Sequence, residues 1–173
     1  MPVRVFEETV LPHLDAAFNY ARWLTRNDSE AEDVVQDACV RAMLFFSSLR
    51  DDDARPWLFA IVRNTWYSRV SRRANRAEAT PLNGAQDQWP DHALDPEERL
   101  LQQHTVAIVR AALEQLPVDF REVMVLREIE GLSYKEIAAV AHVPIGTVMS
   151  RLARARERLL RVLNLQAPLE TLR

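Results

Sequence analysis

The sequence predicts an all-α protein: two small helical domains joined by a flexible acidic linker. Three observations carry this. Apolar residues recur at three- and four-residue steps along nearly the whole chain, and no segment shows sustained strand-like alternation. Glycine occurs only at positions 84, 131 and 146, which leaves little chemistry for hairpin turns. One stretch, residues 74 to 94, loses the periodicity and gathers Pro81, Asn83, Gly84 and Pro90 instead.

The elements follow in order. Phe6, Val10, Leu14, Ala17, Phe18, Ala21 and Leu24 trace one long first helix. Asn27-Asp28-Ser29 offers capping groups, and Glu30, Glu32 and Asp33 suit the positive end of a second helix that continues through Val34, Ala38, Val40, Arg41, Leu44 and Phe45. After a polar break from Ser47 to Ala54, Pro56 fits the first turn of a third helix carrying Trp57, Leu58, Ile61, Val62, Trp66 and Val70. Spacing resumes after Asp95-Pro96 with Leu100, Leu101, Val106, Val109, Leu113 and Leu116, and stops at Pro117. A further helix covers Phe120, Val123, Met124, Leu126 and Ile129 and ends at Gly131. Ser133, with Glu136 three residues on, predicts a capping box on a short helix to Ala141. A last helix runs from about Gly146 to Leu163. The expected division is residues 1–73, a linker 74–98, residues 99–165 and a short tail 166–173.

Composition is that of a globular protein: 173 residues, 48% hydrophobic, 27% charged, mean hydropathy −0.22. No apolar run approaches the roughly 20 residues that span a bilayer, so no membrane insertion is expected. The N-terminus lacks the apolar stretch of a signal peptide, and a cytoplasmic location is the expectation. Cys39 is the single cysteine and the four histidines are scattered, so neither a disulfide, a metal site, a cofactor nor an enzyme's nucleophile is expected. Nothing in the sequence calls for a small-molecule substrate.

Net charge is −3, but its distribution is uneven. Arg63, Arg69, Arg72, Arg73 and Arg76 form a basic block with no acid among them, and Arg151, Arg154, Arg156, Arg158 and Arg161 form a second beside Glu157 alone. Between them, Glu78, Asp87, Asp91, Asp95, Glu97 and Glu98 stand without a base. Arginine blocks of this kind suit phosphates, although a solvated helix face also produces them.

Residues 132 to 161 combine a short helix with small Ala138 at its centre, a break at His142 to Ile145, and a long basic helix, which is a helix-turn-helix pattern. On the last helix Val148, Leu152, Ala155 and Leu159 share one face and should pack inward. Met149, Ser150, Ala153, Arg154 and Glu157 then face outward, where base edges are read, with arginines placed for phosphates.

The run from Leu126 to Arg158, with REIEGLSYKEIA and GTVMSRLARARERL, closely resembles the C-terminal DNA-binding domain of extracytoplasmic-function sigma factors. The resemblance implies that this domain reads the −35 promoter element through Gly146, Thr147, Met149, Ser150, Ala153 and Arg154, with Arg127 and Arg158 on the DNA backbone. Met149 stands where the family often has a basic residue, and Ala153 is small, so a distinct preferred sequence or affinity is expected.

The N-terminal half agrees. DSEAEDVVQDACVRAM, residues 28 to 43, is similar to the family's segment that docks on the largest subunits of core RNA polymerase, which implies contacts from Asp33, Val34, Gln36, Asp37 and Arg41. Trp57-Leu58 and Arg63-Asn64-Thr65 resemble the segment that opens the −10 element. Basic side chains, aromatic faces and amides are what single-stranded DNA requires. The implied set is Arg50, Arg55, Trp57, Arg63, Asn64, Tyr67 and Arg69, with Trp57 open between core packing and base contact.

The resemblance spans roughly residues 5 to 162. It implies an alternative sigma factor that binds core polymerase and promoter DNA and is held by an anti-sigma factor. Three rivals remain at this level: a dimeric helix-turn-helix regulator, a sigma-like decoy for an anti-sigma factor, and an enzyme. The first leaves the N-terminal 73 residues without a use.

Overall fold

The computed structural model describes residues 3–50, 53–76 and 96–166, and every regular element among them is helical. The N-terminal half contains α1 (Val3–Val10), α2 (Leu14–Thr25), α3 (Asp28–Phe45) and α4 (Ala54–Asn75). The C-terminal half contains α5 (Pro96–Glu114), α6 (Val118–Met124), α7 (Tyr134–Ala141) and α8 (Ile145–Gln166).

The single long first helix is not formed. A 3₁₀ turn at Leu11–His13 divides it, because Pro12 has no amide to donate and its ring crowds the preceding turn. Helix α2 ends where Arg26 turns left-handed at φ 57° and returns its amide to Arg22. Asn27 then caps α3, its side chain accepting the Glu30 amide at 2.9 Å. Asp53 caps α4, accepting the Arg55 amide at 3.2 Å, and Pro56 stands in its first turn. Helix α4 runs to Asn75 and α5 begins at Pro96, so helix reaches into both ends of the 74–98 segment expected as a linker. Most of its acidic residues, and the tail from 167, lie outside the described residues.

In the C-terminal half α6 widens into a π-helical turn, Val125–Ile129, before Gly131 takes φ 68° to reverse the chain. Both halves of the capping box on α7 are present: Ser133 Oγ accepts the Glu136 amide, and Glu136 accepts the Ser133 amide at 2.6 Å. His142 closes α7 in the left-handed conformation, φ 54°.

Tyr20, Val34, Leu58, Phe59 and Val62 are fully buried in the N-terminal half, as are Leu126, Leu132, Ile137 and Val148 in the C-terminal half. Each such large side chain contributes roughly 1.5–3 kcal/mol of burial free energy. The two halves also pack on each other, with α7 against α4 and α6 against α2, so their buried residues form one continuous cluster. No described helix is long and apolar enough to cross a membrane.

Candidate nucleic-acid interfaces

The helix-turn-helix is built as its apolar spacing requires. Val148, Leu152 and Ala155 are at most 1% exposed and Leu159 is half-buried, which turns the opposite face of α8 to solvent. Met149, Ser150, Ala153, Arg154 and Arg158 all lie on the exposed side, and Met149 is 54% exposed. Ser150 Oγ donates back to the Thr147 carbonyl at 3.0 Å, and Thr147 is half-buried. Gly146 is the second residue of α8, and a Cβ there would meet nothing within 4 Å, so internal packing does not demand glycine. Arg127 differs from an outward-reaching arginine. It is half-buried, donates to the Leu132 carbonyl at 2.8 Å and lies 5.0 Å over the Tyr134 ring, so much of it braces the turn before α7.

The seven residues of the second set sit in four environments. Arg50 is exposed beyond the α3 end. Trp57 is half-buried edge-on to Phe46, with ring centroids 6.4 Å apart, so it packs on the core and keeps part of its surface open. Arg69 turns toward α3, donating to Asp37 at 2.6 Å and lying 3.5 Å from Asp33. The other four face the C-terminal half. Arg55 donates to the Glu130 carbonyl at 2.6 Å, and Asn64 Oδ1 lies 3.2 Å from His142 Nε2. The Arg63 guanidinium donates to Glu122 at 2.5 Å while stacking 4.4 Å over the Tyr67 ring.

On α3, Asp33, Gln36 and Asp37 form an exposed polar strip with Arg41 half-buried beside it. Val34 requires a correction, because it points into the core with no exposed area and has no surface to offer a partner. The strip runs into an apolar end formed by Val40, Met43, Leu44 and Phe45, each at least 58% exposed. Cys39 is partly covered, and burial pushes its thiol pKa up, away from the reactive thiolate.

Glu122 is the residue that sequence reasoning missed. It is 1% exposed, and its Oε1 accepts both the Tyr20 hydroxyl at 2.6 Å and Arg63 Nε, while Oε2 has no protein partner. Burial first, and then Glu122, push the Tyr20 hydroxyl well above its ordinary range. Glu130 is 9% exposed, and burial raises its carboxyl while nearby Arg55 partly offsets the shift. A signal existed: Glu122 stands four residues from both Val118 and Leu126, on the apolar face of its own helix. Among the described residues no cluster of ligating side chains could hold a metal ion.

Two family models match separate stretches of the chain. The family model for Sigma-70 region 2 matches residues 9–76, and that for Sigma-70, region 4 matches residues 107–159. The RNA polymerase sigma-H factor of Pseudomonas aeruginosa is 35% identical over 161 residues, covering 89% of this chain and 83% of its own. The ECF RNA polymerase sigma-E factor of Escherichia coli K12 is 37% identical over 135 residues, covering 74% and 71%. Among solved structures, the sigma factor RpoE in complex with the anti-sigma factor NepR, from Bartonella quintana, superposes with TM-score 0.77 at 30% identity, covering 93% of this chain and 98% of that one. CnrH in complex with the cytosolic domain of CnrY gives TM-score 0.63, also at 30% identity, over 93% and 88%.

Proposed function

The chain belongs to the extracytoplasmic-function sigma factors of the sigma-70 family, which are transcription initiation factors, and from that premise we propose how its surfaces divide the work. The exposed face of α8 reads the −35 element, with Met149, Ser150, Ala153 and Arg154 at base edges and Arg158 on phosphates. Gly146 and Thr147 let the helix N-terminus approach the DNA backbone, where amides and dipole favour an anion. Arg127 supports this surface and shares its guanidinium between the turn and a phosphate.

Helix α4 supplies the −10 surface. Arg63, Asn64 and Tyr67 combine cation, amide and aromatic ring within an arc of about 100° on a single helix, with Arg55 at its start, the combination that holds unstacked bases. Arg50 and Arg69 flank it as phosphate contacts. The polar strip Asp33, Gln36, Asp37 and Arg41 docks on core RNA polymerase, and Val34 positions it from beneath. In this reading residues 1–73 and 99–165 act as two domains tethered by the acidic segment between them, and the protein works in the cytoplasm. Its regulator is an anti-sigma factor, as NepR is in the solved complex with RpoE.

The observation that carries the reading is the exposed α8 face paired with a separate, chemically different α4 face. The first is backed by Val148, Leu152 and Ala155 and the second by Leu58, Phe59 and Val62, and neither has any use in packing α8 or α4 within its own half. Reconstitution with core RNA polymerase tests it. Genomic fragments should yield specific start sites only when core and this protein are both present. Sequence-selective DNA binding by the protein alone, as a dimer and without effect on polymerase, would replace the reading with that of a helix-turn-helix regulator.

A further inference from the structure

We infer that α8 reads the C5-methyl groups of thymine through an apolar row, Ile145, Met149 and Ala153, and keeps one arginine, Arg154, for guanine. The inference rests on the assignment of the exposed α8 face to the −35 element and names the base chemistry that face takes. Residues four apart on a helix stand one turn above each other, so the three form a strip from the N-terminal end of α8. All three are exposed, Ile145 at 46% and Met149 at 54%. One exposed apolar side chain on a surface helix is ordinary. Three in a single row, starting where a recognition helix enters the major groove, form a contact surface.

Most hydrogen-bond donors on this helix are spent inside the protein. Arg151 lies 3.3 Å from Asp119, Arg156 donates to Glu128 at 2.7 Å, and Arg161 donates to Glu157. Arg154 and Arg158 are exposed and have no such carboxylate among the described residues, and Arg158 stands one turn further from the helix start. Ser150 is committed as well, because its hydroxyl hydrogen goes to the Thr147 carbonyl at 3.0 Å. Its oxygen is left as an acceptor, which suits the amine of adenine or cytosine. A thioether and a methyl group have nothing to set against guanine O6 and N7. They gain by taking another methyl out of water, and among the ordinary bases only thymine carries one in the major groove. The unbranched Met149 chain, with its three rotatable bonds, is suited to follow that methyl. Met149 and Ala153 stand about 6 Å apart along the axis, close to two steps of a DNA strand. Ser150 and Arg154 form a second row about 100° round the helix. The preferred −35 element therefore carries thymine under Met149 and one guanine under Arg154.

The full chain bound to core RNA polymerase is footprinted on a promoter duplex recovered from genomic fragments. Each thymine of the protected −35 region is then replaced singly by deoxyuridine, which pairs as thymine does and lacks only the methyl. At least one position should lose affinity by about 4-fold, the worth of burying one methyl-sized group. In Met149→Gln, an exposed substitution of similar length, that penalty should vanish while the preference for guanine stays. At the same position a cytosine should bind about 4-fold better when it is 5-methylated, because the methyl is restored without the thymine. A protected −35 region that holds no thymine would overturn the inference. So would indifference to uracil at every thymine, or a penalty of equal size in Met149→Gln. These outcomes leave the −35 reading standing, since the footprint is present in each. A complex that starts transcription but protects no −35 region would overturn that reading, and the inference with it.

Discussion

Arg69 on α4 donates to Asp37 on α3 at 2.6 Å, tying the helix assigned to DNA to the helix assigned to polymerase. The same guanidinium lies 3.5 Å from Asp33, and one turn further along Arg73 reaches Glu30 at 2.6 Å. Helices α3 and α4 are thus held by a ladder of exposed ion pairs as well as by their buried faces.

This ladder changes how the docking strip is tested. An exposed pair of this kind contributes up to about 1 kcal/mol, so Asp37→Ala should lower the thermal midpoint only slightly. It should nevertheless abolish co-purification with core polymerase. Arg69→Ala is the control, because it breaks the same pair from the other side and leaves the acidic strip in place. Equal loss of core binding in both variants would mean that the pair, and not the Asp37 surface, is what docking requires.

On the recognition helix, Arg154→Ala should weaken binding of promoter DNA by the polymerase complex by about 1–3 kcal/mol and relax preference at one −35 position. Arg158→Ala should weaken all sequences alike and reduce the salt dependence. Competition binding with single-position promoter variants separates the two. Uniform effects from both would remove Arg154 from the base-reading set.

Gly146→Ala should leave the fold intact or slightly more stable, because a Cβ meets nothing there and alanine has the higher helix propensity, by about 1 kcal/mol in a helix interior. Weaker DNA binding by the same variant, at an unchanged thermal midpoint, would show that the glycine serves a close approach from outside the protein.

Glu136 supplies a pH prediction. The Ser133 amide, and then its hydroxyl, hold the Glu136 carboxyl below the ordinary carboxylate range. A depressed carboxyl stabilises the fold above its unfolded pKa, in the ordinary carboxylate range, and that contribution is lost as pH falls through the folded value. Glu136→Gln keeps the box geometry without the charge. Its thermal midpoint should lie below that of the parent at neutral pH and converge with it in acid. A gap that persisted unchanged into acid would assign the effect to packing.

Local rules settle most of what the sequence made legible. Ser133 and Glu136 name the start of α7, Val148, Leu152 and Ala155 name the buried face of α8, and the outward set follows from 100° per residue. These depend on neighbours within a few positions, so spacing alone carries them. Pro12 belongs to the same class: its break in the first helix was readable and was outweighed by the apolar spacing around it. Which side of α4 meets solvent was not readable, because that side is covered by residues more than fifty positions away. Arg63 and Asn64 look like free DNA ligands in sequence and become partners of Glu122 and His142 only when α6 and α7 fold back upon α4. The burial of Glu122 is likewise decided at a distance, since a carboxylate enters a core only where Tyr20 and Arg63 from other helices converge to receive it.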